Sequence, residues 1–218
     1  FRSRRFGSII EEARELAKQG VKEIVLIAQD SSRYGEDIGE VDALAALIRA
    51  LGEIDGIEWI RPMYAFPTHI SDAFLSAIAE TPKAVKYLDM PLQHASRNVL
   101  KLMKRGGTRE SLERLIERVR EKVPGIAIRT TFITGFPGET DEDFEELIKF
   151  VQNCRFDNVG VFTYSDEEGT AAFDLPNKVD PKVAKQRRNR LMKEQAKISR
   201  QLNKAKVGKT FKVLFEGL

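Results

Sequence analysis

The 218-residue chain carries 36 Lys and Arg against 33 Asp and Glu, a formal net charge of +3, with 42% hydrophobic and 32% charged residues. That is an ordinary globular composition, and no apolar run approaches the ~20 residues of a membrane span. A single cysteine, Cys154, excludes an internal disulfide and an all-cysteine metal or iron–sulfur site, and fits a reducing, cytoplasmic setting. The chain opens at Phe1 in a basic stretch (Arg2, Arg4, Arg5) and stops at Leu218 after a strand-like run, so both ends read as cut.

Ser8 and Glu11 read as a capping box for a first helix that Gly20 ends. Glu23 to Ala28 reads as a buried strand, leading to Gln29 and Asp30 and a polar loop through Gly35 and Gly39. A helix from Val41 closes at Gly52, and Ile57 to Phe66 is a strand that Pro62 interrupts. Ser71 caps a short helix, Val85 to Leu92 is a strand ending at Gln93-His94, and Ser96 opens a helix that stops at Gly106-Gly107. Leu112, Leu115, Ile116 and Val119 mark another helix, ended at Pro124-Gly125. Asn158 to Tyr164 is the last core strand, followed by Ser165 to Thr170.

The organising stretch is Ile126 to Thr140. A β-branched run reaches Thr134, Gly135-Phe136-Pro137-Gly138 turns the chain, and Thr140 with Asp143 makes a capping box for a helix bearing Phe144, Leu147, Ile148 and Val151. Five strands alternating with helices predict an α/β fold, a parallel sheet or partial barrel, since five are too few to close an eight-stranded one. Ligands in such folds sit beyond the carboxyl ends of the strands. Arg129 stands out inside its strand, because a buried charge needs a partner. A structural ion pair with Asp89 and a ligand carboxylate both remain open.

From Asp180-Pro181, an N-cap and N1 pair, the chain reads as a helix to Lys206 that is rich in Lys and Arg. Val183, Leu191, Ile198 and Leu202 give it a docking face, whereas its charges would suit phosphate. Gly208 breaks it, and Thr210 to Phe215 alternates like the first strand of a new unit.

Polar residues gather at the predicted strand ends: Gln29 and Asp30, Tyr64 with His69, Gln93 and His94, Arg129, and Asp166, Glu167 and Glu168. The chain has no Gly-x-Gly-x-x-Gly, P-loop or Gly-x-Ser-x-Gly pattern, so hydride, phosphoryl and serine-nucleophile chemistry lack motif support. The bare backbone of Gly135 to Gly138 would let a flat ring such as adenine approach. An aldolase-type barrel would need a Schiff-base lysine, and Lys86, early in its strand, is the only strand lysine.

Leu26 to Asp30, Pro91 to His94, Leu100 to Lys104, Gly135 to Thr140 and Tyr164 to Thr170 together resemble the radical S-adenosylmethionine (SAM) methylthiotransferases. Ala28-Gln29-Asp30, Gln93-His94 and Ser165 to Glu168 resemble the branch that modifies an aspartate of a small-subunit ribosomal protein, rather than the branch acting on tRNA adenosine. The resemblance implies an open radical SAM barrel over 1–180, its first strand missing, a basic helix packing on it over 181–206, and the start of a TRAM-like β domain over 207–218. It implies SAM as cofactor, cleaved by one electron from a 4Fe–4S cluster whose cysteine triplet this chain lacks. It carries Gln29 and Asp30 to the SAM and substrate rim, and Gln93 and Arg129 to polar SAM groups. Ile133, Gly135, Phe136 and Pro137 would pack the adenine, and Tyr64, His69, His94 and Asp166 to Glu168 would line the substrate rim. The implied partners are the ribosomal protein and, through the basic helix, rRNA or tRNA, with no membrane. A non-catalytic ribosome- or RNA-binding module is the alternative.

Overall fold

The computed structural model describes residues 1–215. Five strands form, β1 (Glu23–Leu26), β2 (Trp59–Pro62), β3 (Tyr87–Asp89), β4 (Ala127–Thr134) and β5 (Asn158–Thr163). Neighbours pair in parallel as β1–β2 and β3–β4–β5. The two groups are joined by a parallel bridge between Ile60 and Ala84 and by Val85 N–H donating to the Ile60 carbonyl at 3.0 Å. Helices α1 (Phe6–Lys18), α2 (Ala43–Gly52), α3 (Asp72–Glu80), α4 (Arg97–Leu102), α5 (Arg109–Lys122), α6 (Asp141–Cys154) and α7 (Pro181–Lys204) alternate with them. Strand order in space follows chain order, which is the winding of a β/α barrel and not of a doubly wound sheet. The result is the expected open, parallel α/β partial barrel.

The alternation in β4 decides which face does what. Ile128, Thr130, Phe132 and Thr134 are buried under the helices, while Ala127, Arg129, Thr131 and Ile133 are half-buried on the opposite, open face. Phe132 packs edge-on against Phe150 of α6 and against Phe156, with centroids 6.2 and 6.0 Å away, which anchors the strand. Thr140 and Asp143 form the expected capping box, Asp143 N–H donating to Thr140 Oγ1 at 3.2 Å and Thr140 N–H to Asp143 Oδ2 at 3.0 Å.

α7 docks as its apolar stripe predicts, with Ala184, Leu191 and Ile198 buried beside Arg187 and Gln195, and Leu202 packed on the same core. It also covers the outer edge of β5. Arg188 Nε donates at 3.1 Å to the Val161 carbonyl, a group that a neighbouring strand would otherwise take, and Gln195 Nε2 donates at 2.8 Å to the Phe156 carbonyl just before the strand.

Four expectations are corrected. α1 begins at Phe6 after an Arg5 with no side-chain cap, so Ser8 lies inside the helix and the Ser8–Glu11 capping box does not form. β1 is not buried: Val25 is 44% and Ile27 70% exposed, because β1 is an edge strand whose open face no described element covers. β3 is only Tyr87–Asp89, since Pro91 has no N–H for the ladder, although Gln93 N–H rejoins it by donating to the Thr131 carbonyl at 2.8 Å. Thr210 to Phe215 forms no strand, having no ladder partner among the described residues, and 216–218 of that expected unit lie outside them.

Candidate functional site

Across the open face runs a row of paired charge. Glu23 of β1 accepts from Arg61 Nε of β2 at 2.6 Å, and the Arg61 guanidinium lies 4.8 Å from the centre of the Tyr87 ring. Two residues along β3, Asp89 accepts from Arg129 of β4 at 2.5 Å, the two being register partners in the ladder. Asp89 is fully buried, and its hydrogen bond holds the Arg129 guanidinium above its ordinary pKa against the opposing effect of burial. Burial, with the Asp89 charge adding to it, pushes the Tyr87 phenol up. The ion pair with Asp89 forms through Nη1 alone, which leaves Nε and Nη2 of the half-exposed guanidinium for a ligand.

At the carboxyl ends two non-glycine residues adopt left-handed backbone, Tyr64 after β2 (φ 57°) and Gln93 after β3 (φ 72°). Such positions are uncommon outside glycine and cluster at functional sites. Tyr64 N–H points to Asp89 Oδ2 at 3.4 Å, and its carbonyl accepts from Ser31 N–H at 3.1 Å. Next to Ser31, Asp30 holds Ser32 N–H at 3.1 Å and His69 Nδ1 at 2.9 Å. Gln93 is locked to β4 on both sides, with Ile133 N–H donating to its carbonyl at 2.8 Å. Its Oε1 is buried with no hydrogen-bond partner, an exception to the pairing that buried polar atoms normally find.

Thus Asp30, Tyr64, His69, Gln93, Arg129 and Ile133 are brought to one rim, while Gln29 is exposed beside Asp30. Other expected site residues are placed differently. His94 is fully buried and does not line a substrate rim. Its Nδ1 accepts from Ser96 N–H at 3.0 Å, which leaves the proton on Nε2, facing Glu139 Oε1 at 3.3 Å. Gly135, Phe136 and Pro137 are buried as well and offer no open surface to an adenine. A Cβ on Gly135 would lie 2.2 Å from Ala184 Cβ, so the bare backbone there admits α7. Phe136 packs edge-on to Tyr164, centroids 5.1 Å apart. Asp166, Glu167 and Glu168 are exposed after β5, but Asp166 is engaged by Lys178. That bond holds its carboxyl below the ordinary range.

Sequence reasoning missed Glu139 and Arg187. The Glu139 carboxylate is buried and accepts from Gly135 N–H, from His94 and from Arg187 Nη1 at 3.0 Å. Its place directly after Gly-Phe-Pro-Gly was the available signal.

A groove of about 380 Å³ runs beside β1, lined by Phe1, Arg4, Ile24, Val25, Ile27 and others, and of the expected site residues only Asp30 reaches it. Among the described residues no group of three or more His, Cys, Asp or Glu could hold a metal ion. Cys154 lies buried in the core with its thiol pushed up to about 12 by burial, unsuited to a thiolate ligand. The described residues therefore do not fit an iron–sulfur cluster.

Residues 1–151 match the radical SAM superfamily. The chain is 50% identical over 217 residues to the ribosomal protein uS12 methylthiotransferase RimO of Koribacter versatilis, covering 100% of this chain and 43% of that protein. It is 51% identical over 220 residues to the RimO of Solibacter usitatus, covering 100% and 47%. It spans about half the length of these curated relatives. Among solved structures, HemN of Escherichia coli, a coproporphyrinogen III oxidase and radical SAM enzyme, matches with a TM-score of 0.62 at 17% identity, over 90% of this chain and 46% of that one. The radical SAM methyltransferase TsrM of Kitasatospora setae matches with a TM-score of 0.59 at 20% identity, over 73% and 31%. These two likenesses concern the fold. With the superfamily match covering more than half of the 218 residues, the chain belongs to the radical SAM superfamily.

Proposed function

We propose that this chain is the SAM-binding core of a methylthiotransferase that modifies an aspartate of ribosomal protein uS12. The observation that carries it is an identity of about half, along the whole chain, to proteins bearing that name. The rim agrees with a SAM ligand in one respect that the protein itself leaves unexplained. Gln93 is half-exposed and bonded through its backbone carbonyl to Ile133, and its buried Oε1 has no partner, so a turn of the side-chain amide would present it to a ligand's N–H or O–H donor.

In this reading Gln93 and the outward guanidinium nitrogens of Arg129 hold polar SAM groups, and Ile133 meets the adenine. Gln29 and Asp30 border SAM and substrate. Gly135 to Pro137 act from beneath, as scaffold. Bound SAM supplies the methyl group, and the 4Fe–4S clusters of the intact enzyme are held by residues other than these. Tyr64, His69, Glu167 and Glu168 face the substrate protein. The division into barrel (1–180), basic helix (181–206) and the start of a TRAM-like unit (207–218) belongs to the same reading. So does contact with rRNA, supported by Lys182, Lys185, Lys193, Arg200 and Lys204, which lie on α7 opposite its buried face.

The test is to offer uS12 and unmodified tRNA to the cluster-reconstituted enzyme that contains this chain, and to weigh both products by mass spectrometry. A methylthio mass gain on uS12 is expected. A gain on tRNA alone would assign the chain to the adenosine-modifying branch. No gain on either would overturn the reading.

A further inference from the structure

A buried carboxylate ties the two candidate SAM-contacting strand ends together, and a helix outside the barrel holds that carboxylate. Glu139 Oε1 faces Nε2 of His94, the residue immediately after Gln93. Its Oε2 accepts from Gly135 N–H, two residues beyond Ile133. His94 and Glu139 are both inaccessible to solvent. Arg187 of α7 completes the arrangement. Its Nη1 donates to Glu139 Oε2 at 3.0 Å and to the Glu139 carbonyl at 3.1 Å, while Nη2 reaches Asp141 at 2.7 Å. Arg187 is 8% exposed, and its guanidinium lies 5.7 Å from the centre of the Phe144 ring.

Gln93 needs such support. At φ 72° it occupies a backbone region that a residue with a Cβ visits only when its surroundings impose it. Backbone bonds to Thr131 and Ile133 fix one side of Gln93, and the His94 ring, held at Nδ1 by Ser96 and at Nε2 by Glu139, fixes the other. Without Arg187, Glu139 would be a buried anion lacking its cation, and the carboxylate would move toward water. Both His94 and Gly135 would then lose their common anchor.

We infer that Arg187 is a positioning residue for the SAM site, acting through Glu139 and His94 to hold Gln93 and Ile133 in ligand-binding register. The inference rests on the proposal that Gln93 and Ile133 touch SAM. It makes α7 part of the ligand site, although none of its side chains has been assigned to the ligand.

The experiment measures S-adenosylhomocysteine affinity by calorimetry, per folded molecule, in the chain and in Arg187→Met, Arg187→Lys and Ile198→Ala. Ile198 packs the same helix on the core away from Glu139, so its variant loosens docking alone. Amide exchange at Gly135 and Gln93 is the second readout. Arg187→Met should bind about tenfold more weakly, as loss of a charged hydrogen-bond network does, with faster exchange at both amides. Ile198→Ala should keep the parent affinity. Arg187→Lys, which keeps the charge but not the fork, should fall between and serves where Arg187→Met does not fold. Equal affinities in parent and Arg187 variants, with only stability lowered, would overturn the inference and leave Arg187 a packing residue. Absence of binding by the parent chain would overturn the site reading beneath it.

Discussion

Arg129 and Asp89 sit side by side on the parallel strands β4 and β3, joined at 2.5 Å, with the carboxylate fully buried and the guanidinium side chain 34% exposed. The asymmetry sets the cost of breaking the pair. Arg129→Ala strands a buried anion and should lower stability by about 2 kcal/mol or more. Asp89→Asn leaves a cation that water already reaches and should cost less. Urea denaturation of the two variants decides this; equal costs would mean that Asp89 is satisfied by other groups.

That pair also shows how far the sequence could be read. Alternation placed Arg129 and Thr131 on one face of a strand and identified Asp89 as a possible partner, because both facts are local or chemically constrained. The five strands, the turn at Gly135 and the capping box at Thr140 were legible for the same reason. The burial of His94 was not, since the same Gln-His dipeptide serves a rim or a core according to which way one backbone φ turns. Nor was the filling of the glycine turn by Ala184, a residue 49 positions further on. Charge runs hide function in a similar way: Arg187 reads as one of many solvated cations, and only the docked helix shows that it enters the core.

The capping box gives a pH dependence with a definite sign. Burial raises the Asp143 carboxyl, but hydrogen bonds from Ser96, Thr140 and Asn98 outweigh it and hold its pKa below the ordinary carboxylate range. A folded pKa below the unfolded one means that stability from this group is present above the unfolded value, about pH 4, and lost as pH falls through the lower folded value. Asp143→Asn should therefore lower stability by about 1 kcal/mol at pH 7, with the gap to the parent narrowing below pH 4. A constant gap in urea midpoints from pH 7 to pH 2.5 would exclude this carboxylate as the source.

Cys154 should be chemically silent in the folded chain. Its thiol is buried and shifted to about 12, so at pH 8 almost none is thiolate. Iodoacetamide should leave the native protein unmodified over the time that fully modifies it in denaturant, as followed by intact mass. Rapid native alkylation at constant fold would show that the packing around α6 opens locally.

Gln93 offers the test that best separates a structural from a ligand-binding origin of the rim. An unpartnered buried carbonyl oxygen lowers stability, so evolution for stability alone would place an apolar residue there. Gln93→Leu removes the orphan oxygen at nearly constant size. If the oxygen serves a ligand, the variant should be as stable as the parent or up to about 2 kcal/mol more stable, while S-adenosylhomocysteine affinity drops. Thermal unfolding and calorimetric titration on the same preparations measure both. A variant that loses stability while keeping affinity would show instead that Gln93 is held by an unseen partner, an ordered water for example, and that its left-handed backbone is an accident of the turn rather than preparation for a ligand.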